Sequence, residues 1–407
     1  MNTSRIFAIF AAVAATLSVA ITSDSSNVLQ AQSATRDVYI SGFGARSGVL
    51  RSFGINSEAA LRAAAEEINA KGGVKLGDGA VGKIVLDYLD TRCNAEEAIS
   101  VARRIASSPS IVAIGPTCSG EAEPLLGILQ KKVGDASDTG LKLPVFGDTA
   151  VKAGLAAISE WGFRNVPSED QMYQALFAWL KKERPDLNVV MGGVEEDLAH
   201  SRATWYSVMK PRAGESGYNI LGEVKWLVAD TNYTSQVREL KRANPDVFVI
   251  AAHAFSLCGV VKEMDRQGVS PKLVIGLTSS SSLEVMQGCP KLVEGAIIPT
   301  SFAPITPEAQ RVAAQVSKFG GFADLHSAAS WENLMIIKSV IEAEGITARP
   351  ETVAQDRLKI QQGLSKLKET MGLIGTVKRA DREAIKPYVF VLAKSGKWEV
   401  IHNPATN

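Results

Sequence analysis

The sequence predicts an α/β protein of two lobes, each a doubly wound parallel sheet with helices on both faces. Three observations predict it. From residue 37 onward, short β-branched and apolar runs alternate with stretches of helical period. That alternation restarts near Phe163 with no low-complexity linker between the two series. The 407 residues exceed what one core ordinarily fills and suit two.

In the first series, Val38-Tyr39-Ile40 reads as a buried strand followed by a glycine-rich turn. Ala59, Ala60, Ala63, Ala64 and Ile68 then recur at helical spacing, and Asn69-Ala70-Lys71-Gly72-Gly73 stops that helix. A strand at 84–89, a helix at 98–106 with Val101, Ala102 and Ile105 inward, and strands at 111–114 and 144–146 complete the set. In the second series, helix 169–182 leads to strand 188–191, and a helix around 200–210 leads to a strand near 221–228. A helix from Tyr233 runs into Asn244-Pro245-Asp246, and strand 247–251 follows. Helix 257–267, strands 273–276 and 296–298, and helices at 307–318 and 327–344 come next. Strands 388–392 and 398–401 flank Lys394-Ser395-Gly396-Lys397 as a hairpin. In such sheets ligands sit beyond the C-terminal strand ends, so the segments after strands carry the site candidates.

Composition excludes several classes. With 44 Lys and Arg against 43 Asp and Glu, and no long basic run, a nucleic-acid partner is not indicated. Arg5 precedes an apolar stretch, 6–21, which the polar run 22–26 ends. The pattern fits a secretory signal peptide over residues 1–31 better than a membrane anchor. Cleavage after Ala20 or after Ala31 fits, the second leaving less chain before Val38. No Cys in this region invites lipid attachment. Export would give the four cysteines an oxidising setting. Cys93 and Cys118 flank one strand-helix-strand unit at a separation suited to a bridge, and Cys258 and Cys289 are candidates for a second. No CxxC pair occurs, so a zinc or thioredoxin-like site is not indicated, and neither a metal nor a cofactor is expected.

The segments after the strands carry a wider pattern. It includes Ser47-Gly48 with Phe53-Gly54, Ile68-Asn69 with Gly72-Gly73, and Asp90 with Cys93. It continues through Ile114-Gly115-Pro116, Cys118-Ser119, Phe163-Arg164 with Pro167, Asn244-Pro245-Asp246 and the Gly396 hairpin. In this order and spacing the chain resembles the type I periplasmic binding proteins, specifically the leucine/isoleucine/valine-binding group. The interval from Cys93 to Cys118 equals that of the disulfide in branched-chain amino acid binders. The resemblance implies two lobes joined by a three-crossover hinge: about 37–160 plus 303–365 for lobe one, 161–302 plus 366–405 for lobe two. It further implies a monomeric, periplasmic, non-catalytic receptor that closes on a small molecule and delivers it to ABC permease subunits in the inner membrane.

The resemblance also places site residues. Ser119 and Thr149 fall at the family's ligand hydroxyls, with the backbone of Gly147 and Cys118 beside them. Hydroxyls and free N–H groups near helix N-termini hold a carboxylate without a formal cation; as structural residues, Ser119 would be a helix cap and Thr149 a turn residue. Phe53, His253 and His200 match aromatic ligand positions, with core packing as the alternative for Phe53. Trp331 matches an aromatic position in lobe one and reads as core. Family members that bind α-amino acids place a glutamate where this chain has Thr278, inside Thr278-Ser279-Ser280-Ser281-Ser282. An unpaired ammonium in a closed cleft is costly, so the expected ligand widens from an amino acid to an organic or aromatic acid or an amide. Asp148 would either supply the missing charge or face away, solvated or capping a helix. Two other classes compete. A sensor of the same fold differs only in its docking partner. An exported hydrolase would have to assemble His200, His253, Asp197 and serines. Gly42-x-Gly44 lacks the third glycine of a dinucleotide fingerprint, Gly48 falling at the wrong spacing, and no Gly-x-Ser-x-Gly elbow occurs.

Overall fold

The computed structural model describes residues 34–167 and 169–404. The expected leader and both of its cleavage points lie outside the described residues. The first series folds as β1 (Thr35–Gly44), α1 (Arg51–Ala70), β2 (Val74–Lys75), β3 (Val81–Asp90), α2 (Ala95–Ala106), β4 (Ala113–Ile114), α3 (Ser119–Gly127), β5 (Val145–Gly147) and β6 (Gly162–Arg164). These strands form one sheet in the order β2-β3-β1-β4-β5-β6. All its pairings are parallel except β2 against β3.

The second series begins with α4 (Glu169–Glu183), β7 (Val189–Glu195), α5 (Ala199–Thr204), a π-helical turn (Trp205–Met209), α6 (Lys210–Glu215) and β8 (Asn219–Trp226). It continues with α7 (Thr234–Ala243), β9 (Val247–Ala251), α8 (Ala254–Gln267), β10 (Leu273–Gly276), α9 (Leu283–Gly288) and β11 (Ile297–Thr300). The chain then returns to the first sheet with α10 (Pro307–Lys318), α11 (Leu325–Ala343) and α12 (Val353–Lys366). A three-stranded antiparallel sheet follows, β12 (Glu369–Gly372), β13 (Gly375–Ala380) and β14 (Glu383–Ile385), before β15 (Val389–Lys394) and β16 (Lys397–His402). The second large sheet runs β16-β15-β11-β10-β9-β7-β8, and its β15 and β16 pair antiparallel. Both large sheets have the expected parallel centres and pair antiparallel at one edge, through β2 in the first and through the expected hairpin β15–β16 in the second.

Strand alternation explains the layering. In β1, Val38 and Ile40 share a core with Ala60, Ala64 and Ile68 of α1 and with Val312, Trp331 and Ile337 of α10 and α11. Phe43, of opposite parity, packs with Ala102, Ile105 and Leu125 from α2 and α3. The second sheet repeats the scheme. Phe248 and Ile250 join Val237, Leu240, Leu257 and Val260 of α7 and α8. Val247, Val249 and Ala251 join Leu176, Phe177, Trp205 and Met209 on the other face. α2 is set by its ends as well. The Asn94 side chain accepts from Glu96 N and Glu97 N, and acidic residues open the helix while Arg103 and Arg104 close it.

The chain passes between the two large sheets three times: after β6, after β11, and from α12 through the small sheet to β15. The first sheet extends to Arg164, past the expected boundary at 160. The small sheet, expected in lobe two, bonds to first-lobe neighbours: Arg164 N donates to Arg382 O, and the Arg164 guanidinium pairs with Glu383 at 2.9 Å. Both cysteine pairs are bridged, Cys93–Cys118 and Cys258–Cys289. Among the described residues, no helix is long and apolar enough to cross a membrane.

Candidate functional site

A cavity of ≈ 240 Å³ is lined from both large sheets by the segments that follow their strands. It lies beside the strand pairs where the winding reverses, β1/β4 in one sheet and β7/β9 in the other. From the first sheet come Leu50 and Phe53 of the α1 region, Cys93, Asn94 and Ala95 after β3, and Thr117 through Gly120 after β4. Thr149 and Val151 follow β5, and His326 opens α11. From the second come Asp197, Leu198, Ala199 and His200 after β7, His253 after β9 and Ser279 after β10.

The two walls nearly touch at Gly120, where an added Cβ would lie 3.9 Å from the Ala199 methyl. Gly44 explains the glycine-rich end of β1. A Cβ there would fall 1.9 Å from Thr117 Oγ1, which accepts from Ala45 N at 2.8 Å. The glycine thus admits Thr117 to the strand end, a packing requirement unrelated to nucleotide binding.

On the first wall, α3 starts at Ser119, so its leading N–H groups lack intrahelical partners. Ser119 Oγ accepts from Lys152 N at 3.2 Å, which leaves its own proton for an acceptor in the cavity. Thr149 Oγ1 lies 3.2 Å from Asp148 Oδ1 and 3.3 Å from Ser57 Oγ. The Cys93–Cys118 bridge forms part of the same wall. Behind it, burial raises the Glu121 carboxyl to about 7, against a hydrogen bond from Thr91 that lowers it.

On the second wall, each histidine is backed by a buried carboxylate. His253 Nδ1 lies 2.6 Å from Glu195 Oε2, which also accepts from Ser201 Oγ at 2.9 Å and His253 N at 3.1 Å. His200 Nε2 lies 3.0 Å from Glu169 Oε1, and Glu169 also accepts from Thr204 and Thr278. Burial pushes both carboxyls up, but the paired histidine's charge and these hydrogen bonds overcome it and hold both below the usual glutamate range. The rings of His200 and His253 stand edge to face at 5.4 Å. The Phe53 ring packs between His253, at 5.8 Å, and His326, at 4.8 Å. Burial lowers His326 to about 4 even though Asp324 pulls the other way, so this third histidine is neutral at pH 7.

Of the sequence candidates, Phe53, Cys118, Ser119, Thr149, His200 and His253 come together around the cavity; Gly147, Asp148 and Thr278 do not line it. Asp148 faces into the first lobe, 1% exposed, and accepts from Ser330 Oγ at 2.7 Å. Burial outweighs its hydrogen bonds to Ser330, Ser57 and Thr149 and raises its carboxyl to about 6. It is neither solvated nor presented to the cavity. Thr278 is fully buried and spends its hydroxyl on Glu169. Trp331 packs in the core, under the Arg311 guanidinium at 5.6 Å. Sequence reasoning missed His326, Glu169 and Glu195. One signal was available: three of the chain's four histidines line this one cavity. Among the described residues, the only group of ligand atoms near enough for an ion is Cys93, Cys118 and Glu121, and both sulfurs are spent on the disulfide.

Residues 37–397 match the family model described as periplasmic binding protein. The chain belongs to the periplasmic binding protein family. This binding protein is therefore a non-catalytic, two-lobed solute-binding protein, and the hydrolase reading falls away. A Leu/Ile/Val-binding protein of Citrobacter freundii is 32% identical over 95 residues, which span 23% of this chain and 24% of that relative. A leucine-binding protein of Thermotoga maritima shares the fold with a TM-score of 0.76 at 18% identity, over 91% of this chain and all of the other. A solute-binding protein of R. palustris in complex with benzoate aligns at 0.74 and 15% identity, over 90% of this chain and 96% of that one.

Proposed function

We propose that this binding protein is the periplasmic, monomeric substrate-capturing component of an ABC importer. It holds a small carboxylate-bearing or amide solute between its lobes and delivers it to membrane permease subunits. The observation that carries the reading is the cavity bounded by Ser119 and Thr149 on one lobe and His200 and His253 on the other. A solute touching both walls favours the closed arrangement, because only there does it gain both sets of contacts. Among the described residues no lysine or arginine lines the cavity, so the hydroxyls, the leading N–H groups of α3 and the imidazoles supply its polar recognition. Relatives named for branched-chain amino acids and one solved with benzoate bracket the solute class. A signal delivered to a membrane receptor would use the same binding step, and no feature of this cavity favours it over transport.

A thermal-shift screen of the exported form against branched-chain amino acids, aromatic acids, aliphatic acids and amides tests this. A solute present at about 100 times its Kd adds about 2.7 kcal/mol of stability, enough to raise Tm by several degrees. Silence across every class would contradict the solute-binding reading for this cavity.

A further inference from the structure

Two Glu-backed histidines stand on one wall of a site whose opposite wall already offers hydroxyls and N–H groups. We propose that the second-lobe wall is itself an anion-recognising surface: His200 and His253 act as paired imidazolium donors, so the solute is an anion without an α-ammonium, and its capture is coupled to proton uptake. The proposal rests on the binding reading above and narrows its solute class.

The hydrogen-bond pattern carries it. His253 spends Nδ1 on Glu195 and His200 spends Nε2 on Glu169. Their remaining nitrogens, Nε2 of His253 and Nδ1 of His200, have no protein partner among the described residues, and both residues line the cavity. A neutral imidazole with one nitrogen donating to a carboxylate offers a lone pair at the other. A protonated one offers a second N–H. The protonation state therefore decides whether this wall accepts or donates.

Charge balance favours donation. Glu195 is fully buried, and among the described residues His253 is the one basic group bonded to it. A buried carboxylate left uncompensated is costly, and a proton on the imidazole turns each dyad from an anion into a neutral pair. A solute carboxylate beside these nitrogens gives the second proton a further partner. An ammonium would meet two cations on this wall, with the solvent-exposed Asp197 as its carboxylate acceptor. Other charged and titratable groups face the dyads: Arg164, whose charge shares the compensation of Glu169, with Tyr173 also near that carboxylate, and Tyr233 near Glu195. His326 faces the pair from α11 with Asp324 behind it. Among the described residues Asp197 is the only carboxylate lining the cavity; it is solvent-exposed, and its Oδ1 accepts from Val228 N at 2.9 Å. Behind the first wall, burial raises Glu121 to about 7 and Asp148 to about 6, so the test must separate protons taken up there from those on the second wall.

The test is isothermal titration of the exported protein with benzoate, succinate, leucine and benzamide. Each is measured from about pH 5.5 to about pH 8.5 in buffers of differing ionisation enthalpy. For benzoate or succinate, the proposal predicts net proton uptake at the alkaline end. Affinity should fall about tenfold per pH unit for each proton taken up and level off at the acid end. Imidazole resonances of His200 and His253 should move toward the protonated form when the acid is added at constant pH. H253N and H200Q keep an amide near the nitrogen that meets the glutamate but cannot gain a charge. Each should abolish its share of the uptake while E121Q and D148N leave it intact. Binding of either acid without proton uptake would overturn the proposal, and so would tight leucine binding lost in D197N; in both cases the solute-binding reading would stand. Silence from all four probes would remove that reading, and this one with it.

Discussion

Asp148 is a residue whose environment contradicts its chemistry. It sits 1% exposed among hydroxyls, with no cation among the described residues bonded to it, and burial lifts its carboxyl to about 6. Between its ordinary value of 3.8 and about 6, the folded chain holds a proton that the unfolded chain has released. The stability this group contributes is therefore fully present below about pH 4 and lost as pH rises through about 6. The loss is roughly 3 kcal/mol. Urea unfolding of wild type and D148N at pH 5 and pH 7.5 isolates it. The variant should gain on wild type at the higher pH, and equal pH responses would mean that Asp148 has a charge partner after all. Apolar runs made the strand ends legible, and among the segments beyond them Ser119, Thr149, Phe53 and His253 were singled out as candidates by the family resemblance. His326 was not. It reaches the cavity from the start of α11, after the chain has returned to the first lobe, and local pattern carries no trace of that return. Glu169 and Glu195 were illegible for a different reason. A glutamate in the first turn of α4 or at the end of β7 reads as solvated until tertiary packing buries it.

At the scale of elements, the two disulfides have different duties. Cys93–Cys118 ties the loop after β3 to the start of α3 and forms cavity wall. Cys258–Cys289 joins α8 to the residue after α9, in the second-lobe core. Each closes a loop of 25 or 31 residues. Replacing either pair with serines should therefore cost about 3–4 kcal/mol on the chain-entropy account, measured by denaturant unfolding. Only loss of Cys93–Cys118 should also weaken solute binding; a matching loss on removing Cys258–Cys289 would mean the cavity depends on the whole second-lobe core. Most elements followed from periodicity, and β9, β10 and α10 fall where the pattern puts them. The small sheet β12–β14 did not, because its strands are short, polar and half-exposed, so no apolar alternation marks them. The helix expected near 200–210 runs longer, from Ala199 to Glu215, through a π-turn that seats Trp205 in the core beneath β7.

For the whole molecule, the crossings between the lobes meet at a buried carboxylate. Glu332 of α11 receives Lys386, Asn165 Nδ2 at 2.9 Å and Leu373 N at 2.8 Å, gathering groups from two of the three crossings. Both charges of the Lys386–Glu332 pair are almost fully buried. K386M would strand a buried carboxylate and should cost about 3–5 kcal/mol in denaturant unfolding. The companion E332Q/K386M, which removes both charges, should recover much of that. No recovery would place the cost in packing rather than in charge. The two-lobed architecture was legible because alternation of strand and helix restarts once. Which segments return to the first lobe came only from resemblance, since a crossing leaves no periodic signature in the chain.

The central claim is that one solute is held by both walls at once. The most direct measurement is calorimetric titration of the best solute from the thermal-shift screen into wild type, S119A and H253N. Both variants should weaken binding about tenfold, the worth of one hydrogen bond to a charged group, with the ligand-free Tm of S119A unchanged within a few degrees. A Kd within twofold of wild type for either variant would mean that its wall does not hold the solute, and would contradict the account.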